Sequence, residues 1–309
     1  MRSIVGCRKI ESMRRIEIIV QASERHTRLE DLLCERFRAL SKMYLREVVK
    51  SGACEVNGRQ ENIGYRLRPN DFIEIELDLT REHSMLRQDI PLEIVREDAD
   101  LIVVVKPPGM LVHPSHREKN GTLLNALAFH FNQNGGPMVR PGLVHRLDKG
   151  TSGLMVVAKN ARAHRILCRQ FQRKTVTKRY LALVHGEVQA DRGVIEGNIG
   201  RHAEQKIWGL KDEGKPAETR FTVISRFDSR TLLELEPVTG RTNQLRIHCA
   251  SIGHPIIGDT GRGAEPYTRL CLHAAKLEFR HPSLNETVSF ESEADFSEAA
   301  PGREAVIPA

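Results

Sequence analysis

The chain has six cysteines but no C-x-x-C pair. Cys7, Cys34, Cys54, Cys168, Cys249 and Cys271 stand far apart, which suits neither a zinc site nor a disulfide framework and reads as reduced thiols. No dinucleotide fingerprint is present, and no triphosphate-cradling loop. In "HRLDKGTSG" (145–153), Lys149 precedes Gly150 instead of following a glycine, so the order is wrong for a nucleoside triphosphatase. His113 and His116 of "HPSH" are split by a proline and lack helical i,i+4 geometry, so no metal site is expected. No apolar run approaches the roughly 20 residues of a membrane span. The opening "MRSIVGCRKIESMRR" lacks the apolar h-region of a signal peptide. These absences favour a cytoplasmic, cofactor-free protein without membrane contact. The basic opening keeps an organelle presequence as the alternative.

What is present begins with charge. Lys and Arg number 47 against 40 Asp and Glu, a net charge of +7, which points to a polyanionic partner. The 309 residues are enough for two domains. "RIEIIV" (15–20) reads as a strand, and Leu29, Leu32, Leu33, Phe37 and Leu40 recur near helical spacing. Ser41 is a candidate N-cap for a second helix ending near Gly52. On that helix Lys42, Arg46 and Lys50 share a face at i, i+4 and i+8. Asn57-Gly58 signals a hairpin, and "DFIEIEL" alternates like a half-buried strand. Residues 16–78 therefore predict a small α/β unit with one basic stripe, followed by a linker at 79–89.

Strands are predicted at "PLEIV", "LIVVVK", "GLMVVAKN", "YLALVHG", "AETRFTVISRF", "TLLELEPV", "NQLRIHCA" and "CLHAAKLEF". Helices are predicted at 121–131 and at 161–173, the latter carrying Arg162, Arg165, Arg169 and Arg173 along one side. Many strands with few helices and no regular alternation predict an α+β domain with a mixed or antiparallel sheet over 90–292. Residues 293–309 read as a flexible tail. No internal repeat is visible.

The charged turn 145–153 holds the chemistry. Asp148 is flanked by Arg146 and Lys149, which favour its carboxylate form and suit a nucleophile or base rather than a proton donor. An ordinary ion pair with Arg146 in a turn is the competing reading, and spacing alone does not exclude it.

The longer stretch "RPGLVHRLDKGTSGLMVVAKN" (140–160) resembles the active-site signature of the RluA-type (ribosomal large-subunit) pseudouridine synthases. The likeness extends through "VVVKPPGMLVHPS", "TKRYLALVHGEV", "TGRTNQLRIHCASIGHPIIGD" and "RLCLHAAKLEFRHP", in family order over essentially all of 90–292. Residues 16–78 resemble the alpha-L (S-four-like) RNA-binding domain through "RLEDLLCERF", "LSKMYLREVVKSGACEVNG" and "NDFIEIEL".

The resemblance implies an isomerase that detaches uracil at nitrogen 1 and rejoins it to the ribose through carbon 5. It implies Asp148 as the catalytic aspartate. Tyr180 would line the uracil pocket and help remove the carbon 5 proton, and Arg246 would pair with Asp148. Arg146 would fill the gap left by a flipped uridine, and Leu272 would wall the pocket. Lys42, Arg46 and Lys50 would meet phosphates. The implied partner is RNA, ribosomal in the first place and transfer RNA in the second, with the protein acting as a monomer without metal. A non-catalytic RNA-binding factor and a nucleoside hydrolase are the competing classes. Three positions depart from the family pattern: Asn243 where histidine is commonest, Gly150 where an acidic residue is usual, and "GDTGRG" without the tyrosine that often follows G-D.

Overall fold

The computed structural model describes residues 13–24, 27–37, 40–79, 86–115, 117–133, 139–202, 204 and 207–296. Residues 80–85 of the expected linker, His116 and the segment 297–309 lie outside them. Contacts divide the chain into two units, with the break between Leu86 and Arg87.

The first unit contains β1 (Met13–Ile19), α1 (Leu29–Arg36), α2 (Lys42–Lys50), β2 (Cys54–Val56), β3 (Arg59–Gln60) and β4 (Phe72–Asp78). Its antiparallel sheet has the order β1-β4-β2-β3. The Ser41 hydroxyl accepts the Tyr44 N–H at 3.1 Å, supplying the N-cap of α2. Asn57 and Gly58 turn the β2–β3 hairpin with φ of 52° and 71°, left-handed values suited to a tight two-residue loop. Leu32, Leu33, Leu45 and Val49 from the helices pack on Ile73, Ile75 and Leu77 of the sheet. Two residues of the basic stripe have an acidic partner. Lys42 lies 3.2 Å from Glu30 of α1, and Arg46 hydrogen-bonds the other oxygen of the same carboxylate. A cation on one helix finds an acid on its neighbour, a pairing that periodicity along one helix cannot reveal. Lys50 is exposed.

The second unit contains β5 (Glu93–Glu97), β6 (Leu101–Lys106), α3 (Leu123–His130), β7 (Gly142–Leu143), β8 (Ser152–Ala158) and α4 (Ala161–Gln172). β9 (Thr177–His185), β10 (Arg192–Arg201), β11 (Trp208–Leu210), β12 (Lys215–Phe227) and β13 (Arg230–Pro237) follow. α5 (Gln244–Ser251), β14 (Leu272–Arg280) and β15 (Thr287–Glu291) complete it. One large sheet runs β11-β10-β12-β13-β9-β14-β8-β6-β5, with β15 added to β14 and β7 to β8. Its neighbours are antiparallel except β14 and β8, which run parallel.

Every residue of β8 is buried, because both of its faces are covered. Leu154 and Val156 pack under α4 with Ala163 and Leu167. Met155 and Val157 face α3 with Leu123 and Leu127. Gly153 is required where β8 meets β14. Its φ is 111°, and a Cβ there would lie 2.4 Å from the Ala274 carbonyl oxygen.

Two expectations need correction. "NQLRIHCA" is not a strand, because Gln244–Ser251 form α5. The alternation of Leu245 and Ile247 around Arg246 spans too few residues to separate period 2 from period 3.6. Tertiary bonds decide it. The Gln244 side chain accepts from the Thr239 hydroxyl and the Arg241 N–H and donates to the Glu218 carbonyl, anchoring the first turn. The expected tail is packed at its start: Ala294 and Phe296 are buried in the core, and Asp295 pairs with Arg269 at 2.7 Å. The described fold of this unit thus continues past residue 292.

Candidate active site

Asp148 sits on the turn between β7 and β8, and that turn is held from below. Lys106, at the end of β6, is fully buried and donates to the carbonyls of Pro107 (2.7 Å), Met110 (2.9 Å) and Lys149 (3.3 Å). The Gly109 N–H donates to the same Lys149 carbonyl, and the Asp148 carbonyl accepts the Thr151 N–H at 3.1 Å. "VVVKPPG" thereby clamps "LDKGT". Burial, with the charge of Arg269, pulls the Lys106 ammonium down to about 8, while Asp148 acts the other way. Gly150, where the family pattern has an acidic residue, packs closely against Leu270. A Cβ there would lie 3.2 Å from the Leu270 side chain, so an acidic residue would press on it.

His145 is structural. Its Nε2 accepts the Val156 N–H at 3.1 Å and its ring stacks on Phe171 with centroids 4.6 Å apart. Burial, then the charge of Lys178, pushes it down to about 3, so it is neutral and fastens the loop to β8.

A cleft of about 390 Å³ opens above this turn, and five predicted residues line it: Arg146, Asp148, Tyr180, Arg246 and Leu272. They come from the β7–β8 turn, β9, α5 and the first position of β14. Lys42, Arg46 and Lys50 belong to the other unit.

Among the described residues, none donates a hydrogen bond to the Asp148 carboxylate. Burial raises its pKa, and the positive charges of Arg246, Arg146, Lys106 and Arg262 oppose that rise. The result is a desolvated carboxylate with its oxygens open to the cleft. Burial and the charge of Asp148 both raise the Tyr180 phenol above its ordinary value, so it keeps its proton at neutral pH.

Among the described residues, Arg246 acts on Asp148 through its charge rather than through a hydrogen bond. Its Nε and Nη2 each donate at 2.7 Å to the buried carboxylate of Asp259. Its remaining nitrogen donates to Asn243 Oδ1 at 3.2 Å, a role for the residue that replaces the usual histidine. Arg262 occupies the "GDTGRG" departure. It donates to the Trp208 carbonyl at 2.9 Å and lies 3.7 Å from Asp259.

Sequence reasoning missed Asp259, Arg262 and Lys106 as partners of the site. Asp259 and Lys106 stood inside quoted stretches, and their charged side chains in apolar surroundings were the available signal. Lys178 was also missed. It lies two residues before Tyr180, hence on the same face of β9.

A family model described as RNA pseudouridylate synthase matches residues 100–251, the span that holds Asp148, Tyr180 and Arg246. The RNA pseudouridine synthase YlyB of Bacillus subtilis is 37% identical over 91% of this chain and 94% of its own length. The chain belongs to the RluA-type RNA pseudouridylate synthase family. The synthase is also 37% identical to ribosomal large subunit pseudouridine synthase D of Vibrio cholerae, over 88% of this chain and 89% of that one. Human RNA pseudouridylate synthase domain containing 1 shares its fold with a TM-score of 0.58 and 30% identity, covering 68% of the synthase and 86% of that chain. The enzyme is an isomerase that converts uridine in RNA to pseudouridine. Among its described residues no helix is long and apolar enough to cross a membrane.

Proposed function

We propose that the synthase modifies uridines of large-subunit ribosomal RNA in the cytoplasm, with Asp148 as its catalytic residue. The observation that carries the assignment of Asp148 is its carboxylate, desolvated at a cleft and without a hydrogen bond to any other described residue. A structural ion pair would consume the oxygens that this site leaves open. Support for the ribosomal substrate comes from the relatives named for the large ribosomal subunit and from the first unit, whose motifs resemble an alpha-L RNA-binding domain.

The target base must leave its stack to reach Asp148. Arg146, exposed at the rim of the cleft, occupies the space so vacated, and Leu272 packs against the uracil. The bond from ribose to nitrogen 1 breaks, the base turns, a bond to carbon 5 forms, and the carbon 5 proton departs as nitrogen 1 gains one. Atoms and electrons balance without a redox partner. Asp148 has three available first steps: attack on the sugar, attack on the ring, or removal of a sugar proton to give a glycal. Tyr180 then acts in sequence with it. While Asp148 is charged, the phenol holds its proton firmly. Once that charge is consumed, the phenol is a readier partner for proton transfer at carbon 5. Arg246, fixed by Asp259, steadies the negative charge at Asp148.

The test is carbodiimide mapping of pseudouridine in cellular RNA after gene deletion and rescue. Loss of large-subunit positions, restored by the wild type and not by Asp148→Asn, is the expected result. Restoration by D148N sinks the catalytic assignment. Loss confined to transfer RNA sinks the ribosomal one, and free uracil among the products of the purified protein would make it a hydrolase.

A further inference from the structure

An annex of about 200 Å³ opens off the catalytic cleft, and Phe171, Lys174 and Lys178 line both. Arg220 of β12 and Glu236 of β13, opposite each other across the ladder, form its far wall. Its lining thus holds three cations and one carboxylate. Arg220 is 58% exposed and lies 3.5 Å from Glu218. Among the described residues, no hydrogen bond or ion pair reaches the ammonium of Lys174 or Lys178. We propose that Lys174, Lys178 and Arg220 form a subsite for one backbone phosphate of the RNA strand beside the flipped uridine.

Three observations converge on this. Lys178 shares a face of β9 with Tyr180, roughly 7 Å away along the strand, so the annex begins one side chain from the uracil pocket. Lys174 follows the C-cap of α4 with φ of 57°, a left-handed position where glycine or asparagine is usual. Its side chain lines both the annex and the catalytic cleft. Burial, then the neighbouring Lys174 charge, makes the Lys178 ammonium poorly accommodated, with Glu236 only partly compensating. A phosphate supplies the anion that this arrangement lacks, and a nucleotide turned out of its stack carries phosphates on both sides.

The inference rests on the chain acting as an RNA pseudouridine synthase, so the probe is a uridine-containing RNA stem-loop that the wild-type protein converts. Binding is measured in the Asp148→Asn background against salt, with methylphosphonate replacing in turn the phosphates 5′ and 3′ of the target. Lys178→Met weakens binding about tenfold. Exposed Arg220→Gln, which leaves the fold untouched, weakens it about threefold. Each makes the slope of log affinity against log salt shallower by about 0.7. Lys178→Arg recovers most of the affinity. One methylphosphonate costs the Lys178-intact protein as much as K178M does, and costs the K178M protein nothing further. Independent, multiplying losses or unchanged salt slopes overturn the subsite. Failure of the wild type to convert any uridine-containing RNA overturns the functional reading itself and the subsite with it.

Discussion

Arg246 grips Asp259 through two parallel hydrogen bonds of 2.7 Å, and it reaches Asp148 only through its field. The acid behind the arginine therefore sets how much positive charge the catalytic carboxylate feels. Asp259→Ala releases that grip and leaves a largely desolvated guanidinium. Turnover should fall at least a hundredfold, with a loss of about 3 kcal/mol in stability. Asp259→Glu, which keeps the charge, should recover stability more fully than turnover. Steady-state kinetics together with urea unfolding check this, and unchanged turnover in D259A would separate Arg246 from catalysis.

Asp148→Asn distinguishes a working carboxylate from a structural one. Because the half-buried carboxylate is desolvated and has no hydrogen bond from any described residue, the substitution removes an unfavourable charge. The variant should unfold at the same or a higher urea concentration while losing all turnover. A variant that is inactive because it is unfolded would return Asp148 to the ordinary ion pair that its neighbours first suggested.

The pH profile follows from the same group. Burial raises the Asp148 pKa, and the ionised form is the reactive one. Activity should therefore fall on acidification through a value above the ordinary aspartate range. Removing a nearby cation with Arg262→Gln weakens the opposing field and should move that inflection to higher pH. A shift to lower pH would contradict the field assigned to Arg262.

Lys106 predicts a stability effect of defined sign. Its pKa is about 8 in the fold against 10.5 for the free side chain. Between those values the unfolded chain binds more protons, so this group's contribution to stability rises with pH from about 8 to 10.5. The size is on the order of 2–3 kcal/mol. Urea unfolding of the wild type and Lys106→Met across that range should show the rise in the first and its absence in the second.

Glu30 restrains two of the three basic residues on α2. Glu30→Gln releases Lys42 and Arg46. RNA affinity of the full chain should rise at low salt, with a salt slope steeper by up to about 1.5. No change would remove the α2 stripe from the RNA interface.

Local pattern carried much of the architecture. Ser41 caps its helix, Asn57-Gly58 makes its hairpin, and the apolar run of β8 is buried on both faces because helices cover both. Pattern failed where distant partners decide the outcome. Residues 243–250 were expected as a strand, yet Gln244 and its bonds to Thr239 and Glu218 set Gln244–Ser251 as a helix. Arg246 was legible as a cleft residue, but its partner Asp259 lies 13 positions on and outside any local period. Phe296 reads as part of a polar tail until the sheet that buries it is assembled. The charged turn 145–153 was conspicuous in the sequence. Its support, the buried Lys106 ammonium on the Lys149 carbonyl, was not.

The one parallel pairing among the described residues of the large sheet has a consequence for synthesis of the chain. Ser152 and His273, paired there and hydrogen-bonded at 2.7 Å, are 121 positions apart. A nascent chain exposes Asp148 long before the strand that completes its cleft leaves the ribosome. Until Leu272, His273 and the buried Phe296 emerge, the turn has no floor and the sheet no centre. Such long-range closure forms late and as a unit. The cleft is thus complete only once β14 has paired with β8.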